Sequence, residues 1–159
     1  MSTYPQTLIT QLRKTAARLR TTEAYRWTHQ GRCNCGHLAQ TLTGFTAARL
    51  HQMALQSEGE WADHAEAYCE NSHQPINAVI GQMLAFGLTV EELADLEYLR
   101  AQKVLRWMPK DRRQPDYKDK GDVIAYFETW ADVLAAEAAL KSDPTQAIFI
   151  NGVRYTPPK

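Results

Sequence analysis

The sequence predicts a mainly α-helical fold: a single-domain helical bundle of about six to seven helices that ends in a C-terminal β-hairpin. Three observations predict this class. Apolar residues recur at three- and four-residue spacing through most of the chain, several of these stretches open with helix-capping signals, and an Asn-Gly pair near the end separates two short alternating apolar runs. The chain has 159 residues, 44% of them hydrophobic, which is enough for one domain with a buried core.

Four helices are predicted in the first half of the chain. Residues 6–23 carry a stripe of four apolar side chains at helical spacing, and their basic side chains lie largely off that stripe. A second helix begins near Asn34 or Cys35. Thr46 caps a third helix, which runs to about Leu55. The stretch "GEWADHAEAY" forms a short acidic fourth helix.

Two helices are predicted in the middle of the chain. Pro75 suits the first turn of one helix, and Gly87 suits its end. Thr89 and Glu92 have the spacing of a capping box. The helix that they open is expected to run to about Met108, because the residue before a proline is driven out of the helical region.

The remaining residues are predicted to form a linker, a helix and a hairpin within the single domain 1–159. The charged, turn-rich segment 109–121 links the helical core 1–108 to the helix plus hairpin of residues 122–156. In the hairpin, one apolar face consists of Ile148, Ile150, Val153 and Tyr155. Because an isolated hairpin is only marginally stable in water, this face is expected to pack on the helices or on a second subunit.

Charge is segregated along the chain, although 18 basic and 18 acidic residues cancel overall. Residues 1–54 carry seven basic residues and one acid, residues 55–99 carry nine acids and no Lys or Arg, and residues 100–120 carry eight basic residues and three acids. Such blocks usually pair within a fold or across an oligomer. Pairing within the fold is expected here, and a non-catalytic homodimeric interaction domain is one function that the sequence leaves open.

The sequence predicts a soluble cytoplasmic protein with no membrane association. No apolar run approaches the ~20 residues of a transmembrane helix, and the first residues lack the layout of a secretion signal. The three cysteines are odd in number, and two of them are separated by a single residue, unlike a secreted disulfide framework. All three thiols are therefore expected to be reduced.

Nucleic-acid binding is not expected. The stretch "GQMLAFGLTVEELADLEYL" has the spacing of a helix-turn-helix, but the helix that would enter the DNA groove has four acidic residues near its start. These acids, which would repel phosphates, are Glu91, Glu92, Asp95 and Glu97. Two antiparallel helices joined by a capped turn account for the pattern.

The main candidate for a functional site is the stretch "HQGRCNCGHL", which holds two cysteines and two histidines just before a predicted helix. A mixed set of thiolates and imidazoles suits tetrahedral zinc. The predicted ligands are Cys33, Cys35 and His37 from this turn, with Cys69 or His73 from the segment that follows the acidic helix. The sequence therefore predicts a metal-binding protein, with zinc as the candidate metal.

Two other interpretations of the same turn stay open. The partial positive charge at a helix start stabilises a thiolate, so Cys35 is also the candidate nucleophile of a thiol-dependent enzyme, with a neighbouring histidine as its base and Cys33 as a resolving thiol. Alternatively, the cysteines are small buried hydrophobic residues, and Gly31 and Gly36 serve a tight turn.

The motif "CNCGHL", with "YCENSHQPI" and "GLTVEELADLEYL" downstream, resembles an uncharacterised family of small bacterial helical proteins. The resemblance covers roughly residues 25–108 and leaves the C-terminal helix and hairpin outside. It implies a helical fold, but it implies no activity and identifies no catalytic residue.

Overall fold

The computed structural model describes residues 4–21, 25–56, 59–68 and 74–158, with side chains from residue 7 onward. Within these ranges the chain is mainly helical and ends in a two-stranded antiparallel hairpin, which confirms the predicted fold class. The elements are α1 Tyr4–Thr21, α2 Asn34–Thr43, α3 Ala47–Ala54, α4 Trp61–Glu66, α5 Pro75–Leu84, α6 Val90–Tyr98, α7 Gln102–Leu105, α8 Lys120–Ser142, β1 Phe149–Ile150 and β2 Val153–Arg154. No helix in the described ranges is long and apolar enough to cross a membrane.

The first and last helices pack along each other and form one wall of the core. The apolar stripe of α1 is buried against α8, as the spacing of the stripe predicts. The basic side of α1 is paired with acids of α8: Arg13 lies 3.1 Å from Asp132, and Arg20 lies 2.6 Å from Glu128. Part of the segregated charge is therefore neutralised within the fold, although exposed pairs of this kind stabilise it only slightly.

The capping box at Thr89 is present, but the single helix predicted to run from it to Met108 is divided into α6 and α7. The division falls at Leu99, whose φ of 50° is left-handed. Arg100 N–H closes α6 by donating to the carbonyl of Asp95 at 3.0 Å. A left-handed leucine costs about 1–2 kcal/mol, and burying its side chain in the core offsets this cost.

The charged segment after α7 is held against the helices by specific contacts. It contains a short 3₁₀ helix, Lys110–Arg112. Arg112 forms ion pairs with Asp119 and Asp122 at the start of α8. Farther along, the ring of Tyr117 packs edge-on against Tyr98 at 5.3 Å.

The hairpin forms at the predicted Asn-Gly turn and pairs Ile150 with Val153. Its apolar face packs on the chain's own helices: Ile150 and Tyr155 join Trp107 and residues of α8 in a second small core. Phe149, on the opposite face, is 63% exposed. The intramolecular alternative for the hairpin face is thus the one that the fold adopts.

Candidate functional site

The turn that carries the cysteines is tightly wound at its two glycines. A Cβ atom on Gly31 would overlap the carbonyl of Ala47 at the start of α3. A Cβ atom on Gly36 would lie 2.5 Å from the carbonyl carbon of Gly31. Only glycine fits at these crossings, which supports the interpretation of Gly31 and Gly36 as residues of a tight turn.

Both thiols are buried and interact with backbone groups. Cys33 is the N-cap of α2, and its Sγ accepts from Gly36 N–H at 3.3 Å. The Sγ of Cys35 lies 3.5 Å from the carbonyl of Leu93, to which the thiol donates. Burial raises the pKa of Cys33 to about 12 and that of Cys35 well above its ordinary value.

The expected lowering of the Cys35 pKa is therefore wrong. The thiol does lie in the first turn of a helix, but that helix end is inside the protein. Transferring a thiolate from water into the protein interior costs more free energy than its interaction with the partial positive charge of the helix end contributes. The structure thus supplies no stabilisation for a thiolate, and Cys35 as a nucleophile stays an untested prediction.

The predicted base groups of the turn are also engaged. His37 is 2% exposed, and its ring stacks on Tyr25 with 6.1 Å between the ring centroids. His29 accepts from Gly31 N–H at 3.1 Å and stacks on His51 at 4.0 Å. Both rings therefore pack within the fold, and that of His29 also accepts a hydrogen bond.

The described part of the predicted metal site does not form a coordination centre. Cys33, Cys35 and His37 face a turn amide, a carbonyl of α6 and a tyrosine ring respectively. In the ranges that the structure describes, no three His, Cys, Asp or Glu side chains come together in a way that could hold a metal ion. The other two predicted ligands, Cys69 and His73, lie outside those ranges, so zinc binding stays a prediction.

Asn34 joins the turn to α6, a role that sequence reasoning missed. Its side chain is fully buried, and its amide donates to the carbonyls of Leu96 at 2.7 Å and Glu97 at 2.9 Å. Its oxygen accepts from Cys35 N–H at 3.2 Å. Asn34 therefore supplies hydrogen-bond donors to two carbonyls at the end of α6, and no sequence motif predicted this role.

Gln30 joins the turn to α4 in a similar way. Its backbone carbonyl accepts from the indole of Trp61 at 2.7 Å. Its side-chain oxygen lies 3.2 Å from Nε2 of His64, and its amide donates to the carbonyl of Gly59 at 3.2 Å. The turn is thereby fixed to α4 by hydrogen bonds from one glutamine.

Glu97 is the most perturbed acid of this region. It is 4% exposed, and its carboxylate accepts from Ala62 N–H in the first turn of α4. Burial raises its pKa to about 7, and the nearby carboxylates of Glu60 and Asp63 add to the effect. One sequence signal could have found it: Glu97 follows Leu93 by four residues and so lies on the buried face of α6.

Two grooves of opposite charge adjoin on the face formed by α6, α7 and the charged segment. The basic groove, of about 540 Å³, is lined by Leu99, Arg100, Gln102, Leu105, Arg106, Arg113, Gln114 and Pro115. The acidic groove, of about 370 Å³, is lined by Thr89, Glu91, Glu92, Asp95, Ala101, Gln102 and Lys103. Neither groove includes a residue of the cysteine turn, so these surfaces and the turn are separate features.

No family model, curated protein or solved structure matches this chain. The resemblance to bacterial proteins with a "CNCGHL" motif therefore stays a prediction.

Proposed function

We propose that the protein is a non-catalytic interaction domain that forms a homodimer through the basic and acidic grooves. The observation that carries the proposal is that these two grooves, of opposite charge, lie side by side and share Gln102 in their linings. A two-fold axis near this residue would set the basic groove of each copy against the acidic groove of the other. The neutral, buried thiols support a role without thiol chemistry.

The charges within this face favour a partner that carries both signs. Along the seam between the grooves, Arg100 pairs with Asp95 at 2.9 Å, and Lys103 pairs with Glu92 at 2.8 Å. These two ion pairs neutralise the boundary between the grooves, and charged residues without an ion pair remain in each groove.

Three charged groups in the grooves have no ion pair among the described residues. They are Glu91 in the acidic groove, and Arg106 and Arg113 in the basic groove. All three residues are exposed. A second copy of the chain would supply Glu91 with basic groups and the two arginines with an acid.

The proposed dimer should be weak and sensitive to salt. Exposed ion pairs contribute about 0–1 kcal/mol each, and charges at a surface are screened over a Debye length of about 8 Å at physiological ionic strength. The apolar lining of the basic groove, from Leu99, Leu105 and Pro115, adds burial that salt does not weaken.

Sedimentation equilibrium over protein concentrations from about 1 μM to 1 mM tests the proposal. Wild-type protein should dimerise as its concentration rises, and high salt should weaken the dimer. Arg113→Glu and Glu91→Lys should each be monomeric at concentrations where wild type is dimeric. Arg154→Glu, which reverses an exposed charge on the hairpin, is the matched control and should dimerise normally.

Mixing the two reversed variants gives the sharper result. In the mixed dimer, one pair of facing grooves is wild type, and the other pair joins two reversed charges that attract. The mixture should therefore dimerise although neither variant does so alone. A wild type that remains monomeric at every concentration, or a dimer that neither reversal weakens, would contradict the proposal.

A further inference from the structure

The turn of the hairpin is joined to two other segments by one side chain. The amide of Asn151 donates to the carbonyl of Trp107, which follows α7, at 2.7 Å. The same amide nitrogen donates to the hydroxyl oxygen of Thr129 in α8 at 3.3 Å. A change in this one amide therefore affects how the hairpin is held against the helices.

Asn-Gly is also the dipeptide at which an asparagine amide hydrolyses most readily. Glycine has no side chain to hinder its backbone nitrogen, which attacks Cγ of the asparagine. The new bond closes an imide ring, and the amide nitrogen leaves as ammonia with the proton of the attacking nitrogen. Water then opens the ring to aspartate or isoaspartate, so the net reaction consumes one water and exchanges the amide for a carboxylate.

The closed turn protects the amide from this reaction. Asn151 and Gly152 are exposed and have the left-handed φ values, 50° and 81°, of a two-residue hairpin turn. The two hydrogen bonds hold the Asn151 side chain against Trp107 and Thr129. Cγ has to leave these partners before it can meet the nitrogen of Gly152, so the reaction proceeds from molecules whose hairpin has opened locally.

The product of the reaction cannot restore the contact. A carboxylate has no N–H to donate to the carbonyl of Trp107, whose oxygen would repel it. It retains at most a hydrogen bond from the hydroxyl of Thr129. Isoaspartate also lengthens the backbone by one methylene, which disturbs the pairing of Ile150 with Val153 across the turn.

The charges beside the turn also disfavour a carboxylate at this position. Asn151 lines a groove with Glu128 and Asp132 of α8. Arg13 lines the same groove, but its guanidinium is already paired with Asp132 at 3.1 Å. A new negative charge would therefore be repelled by two carboxylates.

We propose that Asn151 is a site of deamidation, and that its conversion to aspartate or isoaspartate releases the hairpin from the helices irreversibly. Each opening allows the reaction, and the product closes less well than the amide. The face released is the one that Ile150 and Tyr155 bury in the second small core. Asn151, Trp107 and Thr129 line neither groove of the proposed dimer, so this inference does not depend on the homodimer.

The rate of the reaction is measured on the full chain kept at pH 8, by peptide mass spectrometry of residue 151. Deamidation should be at least about tenfold slower in the folded protein than in the same chain in urea. Val133→Ala removes methyl groups from the core beneath the hairpin and should speed the reaction in the folded protein at least about threefold. Leu55→Ala, which shortens a 63% exposed side chain after α3, is the control and should not change the rate.

The release of the hairpin is measured by amide hydrogen exchange. The N–H of Tyr155 donates to the carbonyl of Ile148 across the hairpin at 2.8 Å. In Asn151→Asp this N–H should exchange about tenfold faster than in wild type, and the deamidated fraction of aged wild type should behave in the same way. Gln146→Glu makes the same amide-to-carboxylate change at an exposed residue before β1 and should exchange like wild type.

Three results would overturn the proposal. One is deamidation that is as fast in the folded protein as in urea, and another is a rate that Val133→Ala leaves unchanged. The third is wild-type exchange of the Tyr155 N–H in both Asn151→Asp and the aged protein. Asn151→Asp should dimerise like wild type, so the deamidation and dimer proposals can fail separately.

Discussion

Replacing Glu97 with glutamine tests the electrostatics of the buried polar region. The pKa of Glu97 is about 7 in the fold, whereas an unperturbed glutamate has a pKa of about 4.3. The fold therefore binds the proton more tightly than the unfolded chain does. The stabilisation from the protonated form is complete below about pH 4.3 and is lost as the pH rises through 7.

The magnitude follows from the difference between these two pKa values. At about 1.4 kcal/mol for each pKa unit, the free energy of unfolding should fall by at most about 3.5 kcal/mol between pH 4 and pH 8. The site relaxes around the charge, so about 2 kcal/mol is the expected change between pH 4 and pH 8.

Glu97→Gln removes this titration and preserves the size of the side chain and an oxygen that can accept from Ala62 N–H. Urea unfolding at pH 5, 6, 7 and 8 should show the variant gaining about 1.5 kcal/mol relative to wild type across this range. Taking the difference cancels the contribution of His64, whose pKa burial lowers and which therefore changes stability in the opposite direction at acidic pH.

Glu66→Gln is the matched control for this experiment because Glu66 lies in α4, the helix that Glu97 contacts, is exposed and lines neither groove. Its stability curve should run parallel to that of wild type. If the curve of Glu97→Gln also ran parallel to wild type from pH 5 to pH 8, the carboxylate would not be held in the buried, uncharged form that the reasoning requires.

Three further predictions concern the cysteine turn. Gly31→Ala should lower the free energy of unfolding by at least about 2 kcal/mol, because the added Cβ atom would overlap the backbone of Ala47. Gly121→Ala is the control, because its Cβ atom would meet the flexible guanidinium of Arg112 at 3.1 Å. A similar loss of stability in the control would contradict the prediction. Cys33 and Cys35 should react with iodoacetamide far more slowly in folded than in denatured protein, as peptide mass spectrometry can measure, and rapid labelling of folded Cys35 at pH 6 would instead reveal an accessible thiolate. If the predicted zinc site forms, elemental analysis of untagged protein should find close to one zinc per chain and a reduced content in Cys69→Ser, whereas protein without bound metal would remove the site.

Much of the secondary structure could be predicted because its causes are local. The capping box at Thr89, the proline at the start of α5 and the Asn-Gly turn of the hairpin each depend on residues within four positions of one another. The stripe of α1 is buried for the same reason, because its spacing matches the helical repeat. Gly31 and Gly36 likewise predicted the tight turn that holds the cysteines.

The break between α6 and α7 could not be predicted from local pattern. The sequence around Leu99 contains no glycine or proline, and its apolar spacing continues a helix. The break depends on Tyr126 in α8, whose hydroxyl accepts from Ala101 N–H at 3.3 Å, and on the burial of the Leu99 side chain. Both partners are set by packing between distant segments.

The candidate site shows the same division between local and long-range causes. The sequence by itself determined that two cysteines flank the first residue of a helix and that glycines surround them. Only the tertiary structure decided that this helix end is buried, so that the pKa of Cys35 rises instead of falling, and that the carboxylate of Glu97 points inward to α4. The physical reason is that helical periodicity and caps act over a few residues, whereas exposure to water depends on every segment that packs around a group.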